Sequence, residues 1–327
     1  MAAAADISAP PERDLRRGWK VVARKELADH VLSARFVVLL VVLGLAAVGS
    51  VYSVANAIRE VAPGATGTPD LFLLLFTQNA DPIPFPFYFF VGFLAPLLGI
   101  GFGFDAVNSE RSQGTLPRLV SQPIHRDDVI NGKFVAGLTV IAIMLTALVL
   151  LVSGIGIFRL GLVPTFSEVG RLAVWLVVTV IYVGLWLAFA MVCSVLSRRA
   201  ATSALVAIAA WLVLALFGAL LASVIAGVIS PTGPSPAEQL ANLQTNLTLS
   251  RLSPITLFQE ATQVLLNPAQ RAVGVVTLEQ VDQALPSSLP LGQSLLIVWP
   301  QVVGLVALTV VSFAVAYISF MRQEIRA

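Results

Sequence analysis

Side chains that could ligate a metal or attack a substrate are scarce in this sequence of 327 residues. It contains one cysteine, Cys193, and two histidines, His30 and His125. A single cysteine cannot form an intramolecular disulfide, and its apolar neighbours favour a buried structural role. The histidines lie far apart in sequence and lack metal-ligand spacing, so we predict no metal site.

Motifs for phosphate binding or hydrolysis are also missing from the sequence. Gly132 and Lys133 look like the end of a Walker A loop, but Phe134 follows and the glycine five residues earlier is absent. Neither Gly-x-Ser-x-Gly nor His-Glu-x-x-His occurs. We therefore predict that the chain is not an enzyme by itself and binds no cofactor.

The composition shows what kind of fold must position the remaining polar residues. Hydrophobic residues make up 57% of the chain and charged residues 12%, and the mean hydropathy is +0.88. Soluble domains are about 25% charged, and disordered chains combine low hydrophobicity with high net charge. Both classes are excluded, and an all-α, polytopic integral membrane protein is predicted.

Six stretches are long and apolar enough to cross a bilayer, which takes about 20 residues. None of them contains Asp, Glu, Lys, Arg or His, so no charged group must enter the hydrocarbon. The predicted spans are 36–56, 85–104, 134–158, 172–196, 200–229 and 295–320.

The basic residues predict the orientation of the chain. With the N-terminus inside, 15 of the 20 Lys and Arg residues lie on the cytoplasmic side and five lie outside. This predicts both termini in the cytoplasm. The predicted organisation is a tail and membrane-surface helix (1–35), a six-helix domain (36–320) and a short tail (321–327), the domain carrying a cytoplasmic loop (105–133) and a large outer loop (230–294).

Two spans contain residues that bend or loosen a helix. Pro96, Gly99 and Gly103 lie in the second span, and Pro300 precedes Gln301 in the sixth. Proline removes a helical hydrogen bond, and two glycines four residues apart permit close helix contact. These residues are candidates for kinks or for lining a path, and helix packing is the alternative for each.

The loop 105–133 has more local order in its pattern than a simple linker. It carries four acidic and four basic residues. A glycine and threonine at 114–115 break the chain and cap a short helix with apolar residues at 116, 119 and 120, which a proline at 123 ends. Asp127 and Asp128 fit the first turn of the next helix. The short helix is either a surface for a cytoplasmic partner or part of a folded connection.

This segment resembles a known family. Residues 110–133 read E-R-x-x-G-T-L-x-x-L-x-S-x-P-I-x-R-x-x-x-I-x-G-K, which is similar to the first cytoplasmic loop of ABC-2-type transporter permeases. Residues 23–36, A-R-K-E-L-x-x-x-x-x-S-x-R-F, resemble the membrane-surface helix before their first span. The six-span plan also fits, particularly the NosY-like subgroup, although Pro117 departs from the expected pattern.

The resemblance implies a type V exporter-like permease in the plasma (inner) membrane of a prokaryote. Such permeases pair with a second permease chain, and a separate ABC ATPase binds ATP and Mg²⁺. The loop docks into that ATPase and transmits its closure. The implied coupling surface comprises Glu110, Arg111, Gly114, Thr115, Leu116, Pro123, Arg126, Gly132 and Lys133.

A second hypothesis assigns the function to the outer loop. Its apolar spacing predicts short helices at 240–252, 254–266 and 276–285, some dipping into the outer leaflet. They could cap an exit path or bind an extracytoplasmic accessory protein, which would make the chain a non-transporting membrane scaffold. In either hypothesis the basic helix within 15–35 contacts membrane lipids, and no nucleic acid is involved.

Overall fold

The computed structural model describes residues 18–61, 70–112, 125–273 and 288–323. Within these ranges every regular element is a helix, which confirms the all-α prediction. One π-helical turn, Val213–Phe217, joins two of the helices. The helices are α1 (Gly18–Val31), α2 (Ala34–Val61), α3 (Leu71–Thr77), α4 (Phe87–Leu94), α5 (Pro96–Gly103), α6 (Asn108–Ser112), α7 (Arg126–Leu160), α8 (Phe166–Leu196), α9 (Ala200–Leu212), α10 (Gly218–Ile229), α11 (Pro236–Ser250), α12 (Pro254–Leu266) and α13 (Leu291–Arg322).

Six helical segments in the described ranges are long and apolar enough to cross a membrane, as the sequence predicts. We number them span 1 to span 6: Ala34–Glu60, Phe87–Ser112, Arg126–Leu160, Phe166–Leu196, Ala200–Ile229 and Leu291–Arg322. An even number of crossings places α1 and the end of span 6 at one end of the bundle. We call this the terminal end and the opposite one the distal end.

Several helices extend beyond the apolar stretches because polar residues continue or cap them. Span 3 begins at Arg126, inside the predicted loop, where His125 and Asp128 form a reciprocal capping box. Asp127 and Asp128 occupy its first turn, as predicted. Residues 113–124, which include the predicted short helix, lie outside the described residues.

Span 4 forms the centre of the bundle. In its most apolar window 67% of the residues are buried, against 11% in spans 5 and 6. The exposed faces of these outer spans consist largely of Val, Leu and Ile side chains. Such faces suit contact with lipid or with another membrane helix.

Close contact between spans 2 and 4 explains the glycine pair. A Cβ atom on Gly99 would overlap the carbonyl oxygen of Val183, and one on Gly103 would lie 2.7 Å from the carbonyl oxygen of Leu187. Both obstacles are backbone atoms of a buried helix, which cannot turn aside. The helix itself is interrupted at Ala95 and restarts with the buried Pro96.

We expect Gly103→Leu to separate spans 2 and 4 and to lower the thermal unfolding midpoint, since overpacking costs about 1–3 kcal/mol. Gly44→Leu is the matched control, because a Cβ on Gly44 in span 1 has nothing within 4 Å. Unfolding of both variants in lipid nanodiscs can be followed by tryptophan fluorescence. Equal midpoints for the two variants would contradict the contact.

The chain after span 5 turns back into the bundle as a helical hairpin, formed by α11 and α12 and hereafter called the re-entrant hairpin. Helix α11 packs along α10, where Ala222 and Ala226 are buried. Near the distal end of span 5, Asn242 Nδ2 donates to the carbonyl oxygen of Ser230 (2.6 Å). At the turn between α11 and α12, Ser253 Oγ donates to the carbonyl oxygen of Leu214 (2.9 Å), near the middle of span 5.

The second helix of the hairpin fills the space among spans 2, 4 and 6. The ring of Phe258 stacks on Tyr182 of span 4 with centroids 4.5 Å apart and planes 12° apart. Tyr182 Oη donates to the carbonyl oxygen of Gly92 in span 2 (2.8 Å). Helix α12 begins at Pro254, as predicted. The predicted helix 276–285 lies outside the described residues.

Candidate functional site

The described part of the predicted coupling surface lies together at the terminal end. Glu110 and Arg111 end span 2, and Arg126, Gly132 and Lys133 begin span 3. The other four predicted residues, Gly114, Thr115, Leu116 and Pro123, lie outside the described residues. The two roots of the 105–133 loop are therefore adjacent, and their contacts can be followed residue by residue.

A buried lysine joins both roots to the membrane-surface helix. Lys133 Nζ lies 2.7 Å from a carboxylate oxygen of Glu110 and 3.0 Å from one of Glu26 in α1. The side chains of Lys133, Glu26 and Glu110 are only 6%, 12% and 13% exposed. Buried charges need such partners, because removing one leaves another charge uncompensated. We call these three residues the charge triad.

The same region holds α1 directly against span 3. A Cβ on Gly132 would lie 2.7 Å from Val22 Cβ and 2.8 Å from the carbonyl oxygen of Trp19, so only glycine permits this approach. Asp128 Oδ1 accepts a hydrogen bond from the Trp19 amide (3.0 Å), while its Oδ2 accepts one from the His125 amide (3.2 Å). One carboxylate thus serves the N-terminal turns of both helices.

A second set of contacts ties the loop roots to the end of span 6. Arg126 Nη2 donates to the carbonyl oxygens of Gln323 (2.9 Å) and Phe320 (3.3 Å). An Arg111 Nη2 group donates to Gln323 Oε1. Gln323 Nε2 in turn donates to the carbonyl oxygen of Val195 in span 4 (2.7 Å). Spans 2, 3, 4 and 6 therefore converge on Gln323.

A small polar cavity of about 180 Å³ lies between α1 and the root of span 2. Arg35 Nη2 pairs with Asp105 at its edge (2.7 Å). Burial lowers the pKa of His30, so the imidazole is neutral at pH 7, and it packs edge-on against Phe102 with ring centroids 5.0 Å apart. A neutral imidazole can pack beside Phe102 and the charged residues of this cavity without adding an unpaired charge.

These contacts change how some of the predicted residues can act. Gly132 and Lys133 are buried beneath α1, so they support the surface and cannot offer it to a partner. Arg111 and Arg126 are half-buried and hold the end of span 6. The described loop roots, α1 and the ends of spans 4 and 6 thus form one connected cluster of contacts at the terminal end.

Three contributors were missed in the sequence: Glu26, Asp128 and Gln323. Glu26 lies within the A-R-K-E-L pattern and Asp128 was expected only as a helix-start acid. Gln323 had no sequence signal. Each is identified by a partner on another helix that is distant in sequence. Glu26 and Lys133 are 107 residues apart, Asp128 and Trp19 are 109 apart, and Gln323 and Arg111 are 212 apart.

The sequence model of the ABC-2 family transporter proteins matches residues 20–325. That range starts in α1, contains all six spans and includes the charge triad. The chain belongs to the ABC-2 family of transporter proteins. A search of curated proteins found none that matches it. Assignment of this ABC-2 protein to the NosY-like subgroup stays a prediction.

Membership settles the broad class of the molecule. This ABC-2 chain is a multi-pass membrane protein of a transporter, and its role is that of a permease component. Within the described residues no group of three or more His, Cys, Asp or Glu side chains could hold a metal ion. Cys193 is buried, which suits the structural role expected for it.

The two remaining candidates from the sixth span are also placed by this ABC-2 structure. Pro300 lies inside the helix Leu291–Arg322. Gln301 is 4% exposed, and its Nε2 donates to Glu260 Oε2 on α12 (2.9 Å). The polar group therefore meets the re-entrant hairpin, and a role in lining a path stays a prediction.

Proposed function

We propose that this chain is the permease subunit of an ATP-driven exporter in the plasma membrane of a prokaryote. A separate ABC ATPase binds ATP and Mg²⁺ at the cytoplasmic face, and a second permease chain completes the transport path. The cytoplasmic side is the terminal end, where the excess of Lys and Arg lies. Both termini are then cytoplasmic.

The observation that carries this proposal is the set of contacts that joins α1 and spans 2, 3, 4 and 6 at the terminal end. A force applied to residues 113–124 by a closing ATPase would reach α1 and span 3 through Lys133. It would reach spans 4 and 6 through Arg111, Arg126 and Gln323. Packed helices joined by charged contacts move as units, which is what transmission from a docked partner requires.

The re-entrant hairpin supports transport over the scaffold hypothesis. A scaffold would use 230–294 to hold an external partner, and α12 is instead packed among spans 2, 4 and 6. Nine of its thirteen residues are buried, including Phe258 and Leu265. Little of α12 is left to meet an external protein.

Deleting residues 114–116 is the direct test of the coupling role. We expect the deleted chain to insert and fold, because the charge triad and the Gln323 contacts lie outside the deletion. ATPase activity of the complex should fall about 5- to 150-fold, the usual range for one allosteric coupling. The measurement is ATP hydrolysis by the permease co-purified with the ATPase encoded beside it.

A matched control removes three residues from the re-entrant hairpin helix α11, at 237–239, which is distant from the terminal end. Under the proposal this control retains binding of the ATPase. If the 114–116 deletion leaves ATP hydrolysis and transport unchanged, the loop has no coupling role. If no ATPase co-purifies with the intact chain, the scaffold hypothesis gains instead.

A further inference from the structure

The turn of the re-entrant hairpin lies beside the middle of span 5. Ser253 Oγ bonds the carbonyl oxygen of Leu214, and Leu214 is near the midpoint of the thirty-residue span Ala200–Ile229. A Cβ on Gly218 would lie 3.2 Å from Ser253 Cβ, so the turn and span 5 touch. At 1.5 Å per residue, both ends of this span are roughly 20 Å away.

An arginine and a glutamate meet near this turn. Arg251 Nε lies 3.1 Å from Glu260 Oε1 and 3.0 Å from Oε2. Gln301 Nε2 of span 6 donates to the same Oε2 (2.9 Å). We call Arg251, Glu260 and Gln301 the midplane cluster. The six spans carry no charge in their central turns, so the hairpin alone brings this ion pair into the bundle.

The midplane cluster has bonding capacity that the described residues leave unused. The single Nε–H of Arg251 is shared between the two carboxylate oxygens of Glu260, and the described residues leave the two terminal nitrogens available to an acceptor. Gln301 Oε1 is buried and lacks a hydrogen-bond partner in the described part of the chain. The cluster thus presents donors on one side and a buried acceptor on another.

The exposure of the cluster indicates what surrounds it. The side chain of Arg251 is 36% exposed, whereas that of Glu260 is 12% exposed. Exposing a guanidinium to acyl chains at the centre of a bilayer is costly, and intramembrane charges usually face a bundle interior or a water-filled cavity. The open side of Arg251 must therefore face water or a polar group, and not lipid chains.

The local backbone adds a reason to expect function here. The π-helical turn Val213–Phe217 in span 5 includes Leu214, whose carbonyl oxygen accepts the hydrogen bond from Ser253 at the hairpin turn. Single π turns inside α-helices occur often at functional sites. Pro300, beside Gln301, lacks the amide that would complete the helical ladder of span 6. Both outer spans are thus irregular where they meet the cluster.

We propose that the midplane cluster is a binding site for an anionic group, a carboxylate or phosphate, carried by the transported solute. The anion accepts hydrogen bonds from the terminal nitrogens of Arg251, and Gln301 Oε1 accepts one from a neighbouring hydroxyl or bound water. Glu260 competes with the anion for Arg251 and keeps the empty site neutral. Transport of the bound solute rests on the proposed function, whereas the anion site itself does not.

Competition with Glu260 gives two substitutions with opposite expected effects. The probe is dodecyl phosphate, titrated against the intact chain in nanodiscs, with binding followed as the rise in thermal unfolding midpoint. Arg251→Gln should weaken dodecyl phosphate binding at least tenfold. Glu260→Gln should strengthen it several-fold, because Arg251 loses its internal anion. A purely structural ion pair would not produce this opposite pair of shifts.

Arg159→Gln is the matched control, since Arg159 lies in the last turn of span 3 at the distal end, away from the cluster. It should bind dodecyl phosphate like the unsubstituted chain. Affinities for the cationic dodecyltrimethylammonium should not follow the order of the dodecyl phosphate affinities among these variants. Inorganic phosphate binding as tightly as dodecyl phosphate would support the anion site and assign it to free anions. Equal dodecyl phosphate affinities in the Arg251, Glu260 and Arg159 variants would overturn the proposal, whether or not an ATPase partner is found.

Discussion

Replacing Lys133 with methionine should be the most damaging single substitution at the terminal end. The methionine retains much of the volume but removes the buried cation that lies between Glu26 and Glu110. Breaking a buried ion pair by removing one partner costs about 3–5 kcal/mol. We expect a large fall in the thermal unfolding midpoint in nanodiscs and loss of contact between α1 and span 3.

Lys25→Met provides a control that touches the same carboxylate. Lys25 Nζ lies 3.6 Å from Glu26 and 3.5 Å from Asp29, but its side chain is 64% exposed. Exposed ion pairs contribute about 0–1 kcal/mol, so this variant should unfold close to the unsubstituted midpoint. Equal falls in the unfolding midpoint for Lys25→Met and Lys133→Met would show that burial of the triad does not add to its contribution to stability.

A triple variant separates charge from packing at the triad. Glu26→Gln and Glu110→Gln, added to Lys133→Met, remove all three charges. Because buried ion pairs can be replaced by neutral groups at little cost, the triple variant should recover part of the lost midpoint. Failure of any recovery would indicate that Lys133 contributes through packing alone.

Replacing Arg171 with methionine should have the second largest effect, at the distal end. Arg171 is 1% exposed and its guanidinium holds three separate segments. Nη1 donates to the carbonyl oxygen of Leu265 (3.0 Å) and to Ser294 Oγ (3.1 Å), and Nη2 donates to the carbonyl oxygen of Leu289. Each hydrogen bond to a charged group contributes about 1.5–3 kcal/mol.

The expected result of Arg171→Met is local undocking and not global collapse. Helix α12 and the start of span 6 lose their common anchor, so their amides should exchange faster with deuterium, while α1 and span 3 keep their protection. Hydrogen-exchange mass spectrometry of the chain in nanodiscs measures this directly. Arg159→Met is the control, since the polar and aromatic partners of Arg159 among the described residues, Tyr52 and Asn56, lie in span 1. Uniform loss of protection across the bundle would contradict the anchoring role.

The sequence was sufficient where a feature depends on local composition. Long charge-free stretches identified all six spans, because each span must be apolar along its own length. Pro254 marked the start of α12 because proline suits the first helical position. Asp128 fitted a helix start for the same local reason. The family resemblance also came from contiguous motifs around 110–133.

The sequence was insufficient where a residue acts through a distant one. The sequence placed Lys133 on the implied coupling surface, and only the placement of α1 over Gly132 made it the centre of a buried triad. The polar face of α11 suggested an external loop. Hydrogen bonds such as that from Asn242 Nδ2 to the carbonyl oxygen of Ser230 instead hold α11 along span 5, and hydropathy does not predict such contacts.

The sequence by itself therefore determined the class of this protein: an all-α membrane chain of six spans in the ABC-2 family, with its charges kept out of those spans. Only the tertiary structure decided which charges meet, placing Lys133 between Glu26 and Glu110 and bringing Arg251 and Glu260 together near the hairpin turn that contacts the middle of span 5. The physical reason is that hydrophobic patterning is local, whereas the pairing of a buried charge depends on which helix lies beside it.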